Sequence, residues 1–593
     1  MKRYLFLLLA VLFIKQAFSQ QQAKWYEPKF VEGICMLDSS NIFHRLPISM
    51  KDSVRKPVWD LSENTAGEFI HFKTSATEIS VKYTLASNIF SMPHMPSTGV
   101  SGLDLFALDV NGNWNWAPGR YHFGDTCSYV FKNLFLAKNH TSVVDFYLYL
   151  PLYNSVKWLS IGVNEKDSFV FARKRKEKPI VAYGTSILQG AVASRPGLAW
   201  TNILQRNIGR TVINLGFSGN GRFEKPIFDL MARVDAEMYI LDCMPNLTKG
   251  YTEEDIKNRV QYGVDKLREK NRNVPILFTE HAIGYAPYFM DTARMNEYHH
   301  SSLVIEKIFH ELQDSGMKNI YLLTDKEIGF DINSTTEGLH PNDIGMMKYA
   351  VAYEKKIREI LNEPEGTIST EIPIQQYRDG YDWISRHQKV KEEIQQDSPE
   401  NLVIGNSIIH FFGGMPASAI SRGKLAWDKY LKPLKVQNAG FGWDRIENVL
   451  WRVYHGEFDD FRGKNIALMI GTNNLSANSN DSEIVEGLQF LIRAIRERKP
   501  AVNIIMVGIL PRTKSEAHVA EINQKIKEMA LKNHAEYTDF GKDFLIGNKI
   551  NPELFLRDGL HPNAEGYDVL GRDLMKLLMG KSADHTTVKK KKK

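Results

Sequence analysis

Cysteine is scarce in this sequence: Cys35, Cys127 and Cys243 are the only three among 593 residues. So low a count excludes a fold stapled by disulfides, although in an exported chain Cys35 could pair with Cys127 and leave Cys243 free. The plainer alternative is three buried thiols that behave as small hydrophobes. No Cys/His spacing suggests a metal site; His299-His300 lies in a polar, helix-like stretch that reads as a solvated face. Beyond the first twenty residues no apolar run is long enough to cross a bilayer. The body of the chain also lacks a basic excess. The net charge of +6 includes Lys2, Arg3, Lys15 and the run 589–593, and removing those eight positive charges leaves about −2. That balance offers no nucleic-acid footprint. The lysine run is a solvated tail or a weak contact for anionic surfaces. No cofactor is called for, and the oligomeric state is left open.

Residues 1–19 read as a secretory signal peptide. Lys2 and Arg3 form the positive region, residues 4–14 the apolar region, and Ala17-Phe18-Ser19 the small-residue site before Gln20. Cleavage after Ser19 implies a secreted or periplasmic protein. No cysteine follows the cut, so a lipoprotein anchor is not indicated.

From residue 20 to about 176 the pattern is short alternating runs broken by turn residues, such as Glu68-Phe69-Ile70-His71-Phe72-Lys73 and Ile79-Ser80-Val81-Lys82-Tyr83-Thr84. Such runs predict antiparallel strands with one buried face, hence a β-sandwich. The character then changes. Pro179-Ile180-Val181-Ala182-Tyr183, Val212-Ile213-Asn214, Met238-Tyr239-Ile240-Leu241, Pro275-Ile276-Leu277-Phe278 and Ile320-Tyr321-Leu322-Leu323 are continuous apolar strands with helical segments between them. That alternation implies a parallel sheet covered on both faces. After a polar, turn-rich boundary at Asn362-Glu363-Pro364-Glu365-Gly366, a charged helix over 383–395 leads into a second α/β series. Its strands are Leu402-Val403-Ile404, Ile466-Ala467-Leu468-Met469-Ile470 and Ile504-Ile505-Met506-Val507. The expected organisation is a leader at 1–19, a sandwich at 20–176, α/β domains at 177–364 and 372–581, and a lysine-rich tail at 582–593.

The two α/β series repeat each other. Ser186 precedes His340 by 154 positions, and Ser407 precedes His561 by the same 154. Gly184-Thr185-Ser186-Ile187 matches Gly405-Asn406-Ser407-Ile408, and Glu337-Gly338-Leu339-His340-Pro341-Asn342 matches Asp558-Gly559-Leu560-His561-Pro562-Asn563.

These residues suit nucleophilic catalysis. A serine hydroxyl needs a base to take its proton, and the base needs an orienting partner. A serine directly after a buried strand sits above the carboxyl edge of the sheet, where open α/β folds bind ligands. A carboxylate three residues before a histidine accepts from one ring nitrogen and leaves the other for the serine. Asp558 with His561, and Glu337 with His340, therefore arrive as preassembled pairs. Donors for the oxyanion follow from the same logic. The side-chain candidates are Asn246 and Asn473, each after the third strand of its series. The backbone candidates are Ser186 and Gly219 in the first series, and Ser407 and the Trp443 peptide in the second.

On these motifs the two series resemble SGNH (GDSL-type) hydrolases, whose four blocks supply Ser, Gly, Asn and His in that order. The second is similar to platelet-activating-factor-acetylhydrolase-like members through Asn438-Ala439-Gly440-Phe441-Gly442-Trp443-Asp444 and Val449-Leu450-Trp451-Arg452. The first resembles a bacterial subgroup with a Pro-Asn third block, preceded by a β-sandwich bearing Gly-x-Asp-Leu-Tyr. That motif stands here as Gly102-Leu103-Asp104-Leu105-Phe106. The resemblance implies two flavodoxin-like three-layer α/β/α domains in tandem behind an all-β domain. Each series departs once from the pattern: Glu337 stands for Asp, and Trp443 for the oxyanion Gly. Thr185 and Asn406 replace the Asp of GDSL, which the family tolerates. Both centres are expected to be active.

What the resemblance implies is ester hydrolysis through an acyl-enzyme. Export, the sandwich and the lack of an obvious lipid-binding helix favour small acyl groups on carbohydrate, and the resemblance implies O-acetyl esters of sialic acid or of a plant polysaccharide such as xylan. Trp114 and Trp116 are candidates for stacking on sugar rings or for a loop or core role. Two alternatives stay open: one hydrolase unit or the sandwich as a non-catalytic glycan-binding module, and a lysophospholipase or thioesterase.

Overall fold

The computed structural model describes residues 23–38, 40–134, 143–172, 177–283, 291–378, 380–477 and 479–580. The expected leader and the lysine-rich tail at 582–593 lie outside the described residues. The chain divides into two compact units, Met1–Leu361 and Asn362–Lys593.

The first unit opens with two antiparallel five-stranded sheets. In sheet order, one is formed by β1 (Ala23–Tyr26), β9 (Val156–Asn164), β3 (Glu78–Leu85), β7 (Cys127–Lys132) and β6 (Arg120–His122). The other is formed by β10 (Phe169–Phe171), β2 (Phe69–Thr74), β8 (Val144–Tyr149), β4 (Asp104–Leu108) and β5 (Trp114–Ala117). Inward residues such as Phe72, Val81, Leu105, Phe131, Leu148 and Ile161 share one core, as alternation along the strands requires. Cys127 belongs to this core and Cys35 packs against the α/β core instead, so the Cys35–Cys127 disulfide is not formed.

The α/β part of the first unit is a parallel sheet of order β12-β11-β13-β14-β15, comprising Val212–Gly216, Ile180–Gly184, Met238–Asp242, Ile276–Thr279 and Ile320–Leu323. Val181 and Tyr183 enter the core under helices Lys225–Met231 and Glu253–Lys270, while Ile180 and Ala182 face helices Trp200–Ile208 and Asp343–Leu361. Burial of both faces is the reason these strands are uninterrupted apolar runs. Leu46, Met50, Val58 and Trp59, which precede β2, also belong to this α/β core.

The second unit repeats the topology as β17-β16-β18-β19-β20: Val436–Gly440, Asn401–Gly405, Asn465–Met469, Asn503–Val507 and Glu536–Thr538. Both sheets have the flavodoxin-like order 2-1-3-4-5, whose switch point lies at the carboxyl end of the first strand. Two strands escape the sequence pattern. β17 carries the polar Gln437 and Asn438, and β20 is a three-residue edge strand with an exposed first residue. The charged helix forms over Trp383–Asp397, and His299 and His300 are exposed on helix Thr292–Asp314. No helix of the described residues is long and apolar enough to cross a membrane.

Candidate active sites

Ser186 and Ser407 each begin a single turn of helix, Ser186–Gln189 and Ser407–His410, directly beyond β11 and β16. The turn forms because the preceding side chain caps it. Thr185 Oγ1 accepts from the Ile187 amide at 3.4 Å, and Asn406 Oδ1 accepts from the Ile408 amide at 2.9 Å. A cap is what the aspartate of GDSL would also supply, so both replacements keep the local fold. The neighbouring strand must end in glycine. A Cβ at Gly216 would lie 2.3 Å from the Gln189 nitrogen, and one at Gly440 would lie 2.4 Å from the His410 nitrogen.

The serine and histidine of each pair meet across 154 residues. Ser186 Oγ stands 2.9 Å from His340 Nε2, and Ser407 Oγ stands 2.9 Å from His561 Nε2. The acids differ in detail. Asp558 uses both oxygens, Oδ1 accepting the Leu560 and His561 amides at 3.0 Å and Oδ2 the His561 ring at 2.8 Å. Hydrogen bonds from the His561 amide and ring hold this carboxyl below the usual range against partial burial. Glu337 uses one oxygen, Oε1, for both the His340 amide (2.8 Å) and the ring (2.5 Å). With Nδ1–H donated to the acid, Nε2 accepts from the serine hydroxyl.

The candidate oxyanion residues fall in matched register. Gly184 pairs with Gly216 and Asp242, and Gly405 pairs with Gly440 and Met469. Three residues past the second strand come Gly219 and Trp443; four past the third come Asn246 and Asn473. Gly219 and Trp443 share the left-handed conformation, φ +67° and +63°. Asn246 Oδ1 accepts from the Gly221 amide at 3.1 Å, which leaves its NH₂ as the donor end. Asn473 spends one N–H on the Asp444 carbonyl at 2.9 Å and keeps a second.

Models of the GDSL-like lipase/acylhydrolase family match residues 177–358 and 403–569, and a model described as the N-terminus of esterases of SGNH hydrolase type matches 21–169. A crystal structure described as a GDSL-like lipase from Bacteroides ovatus is 32% identical and covers 57% of this chain and 98% of its own, with a TM-score of 0.52. The chain belongs to the GDSL-like lipase/acylhydrolase family. It carries the family's hydrolase module twice, behind a Gly-x-Asp-Leu-Tyr-type sandwich. Platelet-activating factor acetylhydrolase IB subunit alpha1 of Bos taurus is 27% identical over 220 residues, 36% of this chain and 90% of the relative. The alpha2 subunit of Rattus norvegicus is 24% identical over 202 residues, 33% of this chain and 83% of the relative.

In the first GDSL-like module the sandwich builds part of the site. A cavity of about 570 Å³ is bounded by Leu61, Asn64, Met92, His94, Met95 and Tyr153 on one side, and by Ala191, Ser218, Asn220 and His340 on the other. The rings of His94 and His340 stack with centroids 6.0 Å apart. The Gly-x-Asp-Leu motif is the seam behind this wall. Buried Asp104 accepts from Arg195 Nη1 (2.5 Å), the Gly197 amide (2.9 Å) and Trp116 Nε1 (2.5 Å). Trp114 donates to the Arg206 carbonyl at 3.0 Å, and the Arg195 guanidinium lies 4.3 Å from the Trp116 ring centroid. Both tryptophans thus make protein contacts, Trp114 half-buried and Trp116 48% exposed.

The second module has a cavity of about 200 Å³ lined by Tyr381, Asp382, Ser385, Lys389, Phe411 and Trp443, among others. Phe411 extends its wall to the His561 ring, at a centroid distance of 5.9 Å. Behind it, buried Arg452 pairs with Asp444 at 2.9 Å and with Glu457, and Trp383 donates to Asp444 at 2.8 Å.

Two supporting pairs were not anticipated from the sequence. Asn214 and Asn438 each donate to a carbonyl of the nucleophile turn, Leu188 at 2.6 Å and Ile409 at 2.7 Å. Each also accepts from a strand-end amide, Gly216 at 2.9 Å and Gly440 at 2.8 Å. Arg45 donates to the Gly216 carbonyl at 2.7 Å, and Arg386 donates to the Gly440 carbonyl at 2.8 Å. The Asn-x-Gly common to Asn214-Leu215-Gly216 and Asn438-Ala439-Gly440 is the signal that would have revealed the first pair. The arginines come from unrelated segments and left none.

Proposed function

We propose that this chain is a secreted serine esterase with two acyl-enzyme centres, at Ser186 and Ser407, that removes small acyl groups, acetyl foremost, from carbohydrate. The observation that carries the reading is the pair of Ser–His–carboxylate chains, each with a 2.9 Å serine–histidine contact and an acid three residues before the histidine. The hydrolase modules are assigned to residues 177–364 and 372–581, with 20–176 as a sandwich that lends a wall to the first centre.

The serine Oγ attacks the ester carbonyl carbon while histidine Nε2 takes the hydroxyl proton. Glu337 or Asp558 stabilises the imidazolium. The carbonyl oxygen, now an oxyanion, is met by the amides of Ser186 and Gly219 with Asn246, or of Ser407 and Trp443 with Asn473. Collapse expels the alcohol, which receives the histidine proton. Water, deprotonated by the same histidine, then attacks the acyl-serine and releases the acid.

The curated relatives are acetylhydrolases, which favours acetyl as the acyl group. The second cavity, about 200 Å³, is smaller than the roughly 300–1,000 Å³ of drug-sized sites. It combines the rings of Tyr381, Phe411 and Trp443 with the polar Asp382, Ser385 and Lys389, a mixture suited to a sugar.

The test is Ser186→Ala, Ser407→Ala and the double variant, assayed on p-nitrophenyl esters of increasing chain length, O-acetylated sialic acid and acetylated xylan. Each single change is expected to remove part of the acetylesterase activity, and the double change to remove it at least ~10³-fold. Undiminished turnover by the double variant would end the esterase reading. A preference for long acyl chains would replace it with a lysophospholipase or thioesterase.

A further inference from the structure

We propose that Gln189 and His410 are positioning residues that set the oxyanion-hole peptide of their modules. The proposal rests on the esterase reading above. Each residue lies three positions beyond its nucleophile and closes the same turn of helix. Gln189 Oε1 accepts the Ser218 amide at 3.0 Å, and His410 Nδ1 accepts the Gly442 amide at 3.0 Å. Ser218 and Gly442 immediately precede Gly219 and Trp443. Two chemically different side chains, an amide and an imidazole, thus perform the same hydrogen bond at the same place in both repeats.

The carbonyl of the same residue is held as well. Tyr381 Oη donates to the Gly442 carbonyl at 2.9 Å, and Asn220 Nδ2 donates to the Ser218 carbonyl at 2.9 Å. A peptide is planar, and its C=O and the following N–H point in opposite directions. Fixing the Gly442 carbonyl therefore aims the Trp443 N–H, and fixing the Ser218 carbonyl aims that of Gly219. Because the acceptor shares one helical turn with the nucleophile, the donor and the attacking oxygen are tied to a single element. That is the preorganisation an oxyanion hole needs.

The ring of His410 suits this task only when neutral, since the doubly protonated ring has no acceptor. Burial, aided by Arg386, holds its pKa down at about 3. The edge of the ring packs against Tyr381, with centroids 4.7 Å apart. Gln189 is steadied differently, by donating to Asn64 Oδ1 and the Leu152 carbonyl, both at 3.2 Å.

The experiment reports one module at a time in the full chain. In the Ser186→Ala background, His410→Leu is expected to lower kcat on p-nitrophenyl acetate about 10- to 100-fold, with KM within about threefold. His410→Gln, which supplies the first module's acceptor, should restore most of that kcat. Tyr381→Phe, which removes only the hydroxyl, should lower kcat several-fold and serves if His410→Leu does not fold. In the Ser407→Ala background, Gln189→Leu is expected to behave as His410→Leu does. A folded His410→Leu with parental kcat, or a His410→Gln as impaired as His410→Leu, would overturn the proposal while leaving the esterase reading intact. Loss of that reading would show instead as activity surviving both serine changes.

Discussion

Gly219 and Trp443 occupy one backbone position in two repeats, three residues beyond a strand-end glycine and with φ angles only a few degrees apart. For an L-residue that left-handed conformation costs roughly 1–2 kcal/mol. The Trp443 residue is 47% exposed, and its ring meets the Arg378 guanidinium at 5.5 Å from the centroid. The backbone is held on both sides of Trp443, by His410 and Tyr381 on the Gly442 amide and carbonyl and by the buried Asp444–Arg452 pair one residue on. A bulky ring kept at a strained position on the rim of a cavity fits a contact to substrate better than a structural one.

Trp443→Gly is therefore expected to leave turnover of a small ester within about threefold, because the peptide N–H remains. Relief of strain and the added chain entropy of glycine oppose each other, so stability should move by no more than about 1 kcal/mol. The KM for an acetylated sugar should rise several-fold. Kinetics on both substrates in the Ser186→Ala background decide it; an unchanged sugar KM would remove Trp443 from the recognition surface.

Asp558 and Glu337 hold their histidines by different hydrogen-bond patterns, and their removal should be comparably severe. Asp558→Asn and Glu337→Gln, each with the other module silenced, are expected to lower kcat by about 10²–10⁴-fold, since an amide favours the wrong imidazole tautomer. Glu337→Asp tests the longer arm. With one methylene fewer, the single oxygen that serves both the His340 amide and ring must move, and kcat should fall about tenfold or more. Equal rates for Glu337→Asp and the parent would show that arm length is not a constraint there.

Much of this arrangement is legible in the sequence. Continuous apolar runs marked the strands, because both faces of each sheet are covered. The equal serine-to-histidine spacing brought out both centres, because a repeated fold preserves chain distance. The rest depends on contacts that periodicity does not encode. Nothing local marks Arg45 as the residue that reaches Asn214 and Gly216, 169 and 171 positions away. Nor do Met92, His94 and Tyr153 signal that a sandwich forms one wall of the first cavity. The strand β17 was hidden because its polar Asn438 is spent on the nucleophile turn.

The seam between sandwich and hydrolase in the first unit depends on Asp104. Its carboxylate satisfies Arg195, the Gly197 amide and Trp116 at once, with little solvent access. Asp104→Ala leaves a guanidinium and two N–H groups without their acceptor, which costs about 3–5 kcal/mol for a buried pair. The expected result is a lower unfolding midpoint in denaturant, together with a raised KM at the first centre as its sandwich wall loosens. A variant of parental stability would mean that Asp104 is not what secures the seam.

Asp242 ends β13 with its carboxyl buried and, among the described residues, no cation paired with it; burial pushes its pKa up to about 7, against a hydrogen bond from Tyr353 that lowers it. The ordinary value is near 3.8, so between that pH and about 7 the unfolded chain gives up this proton while the folded chain keeps it. Stability from this group is therefore fully present at low pH and falls as pH rises, by about 4 kcal/mol once both states are ionised. In the second repeat the same register position is Met469, so the fold does not require a charge there. Asp242→Asn keeps an acceptor for Tyr353 and removes the titration. It should match the parent near pH 4 and exceed it in stability at pH 8, as read by denaturant unfolding of both proteins at the two pH values. A stability difference that does not grow with pH would mean that Asp242 is ionised in the folded protein throughout.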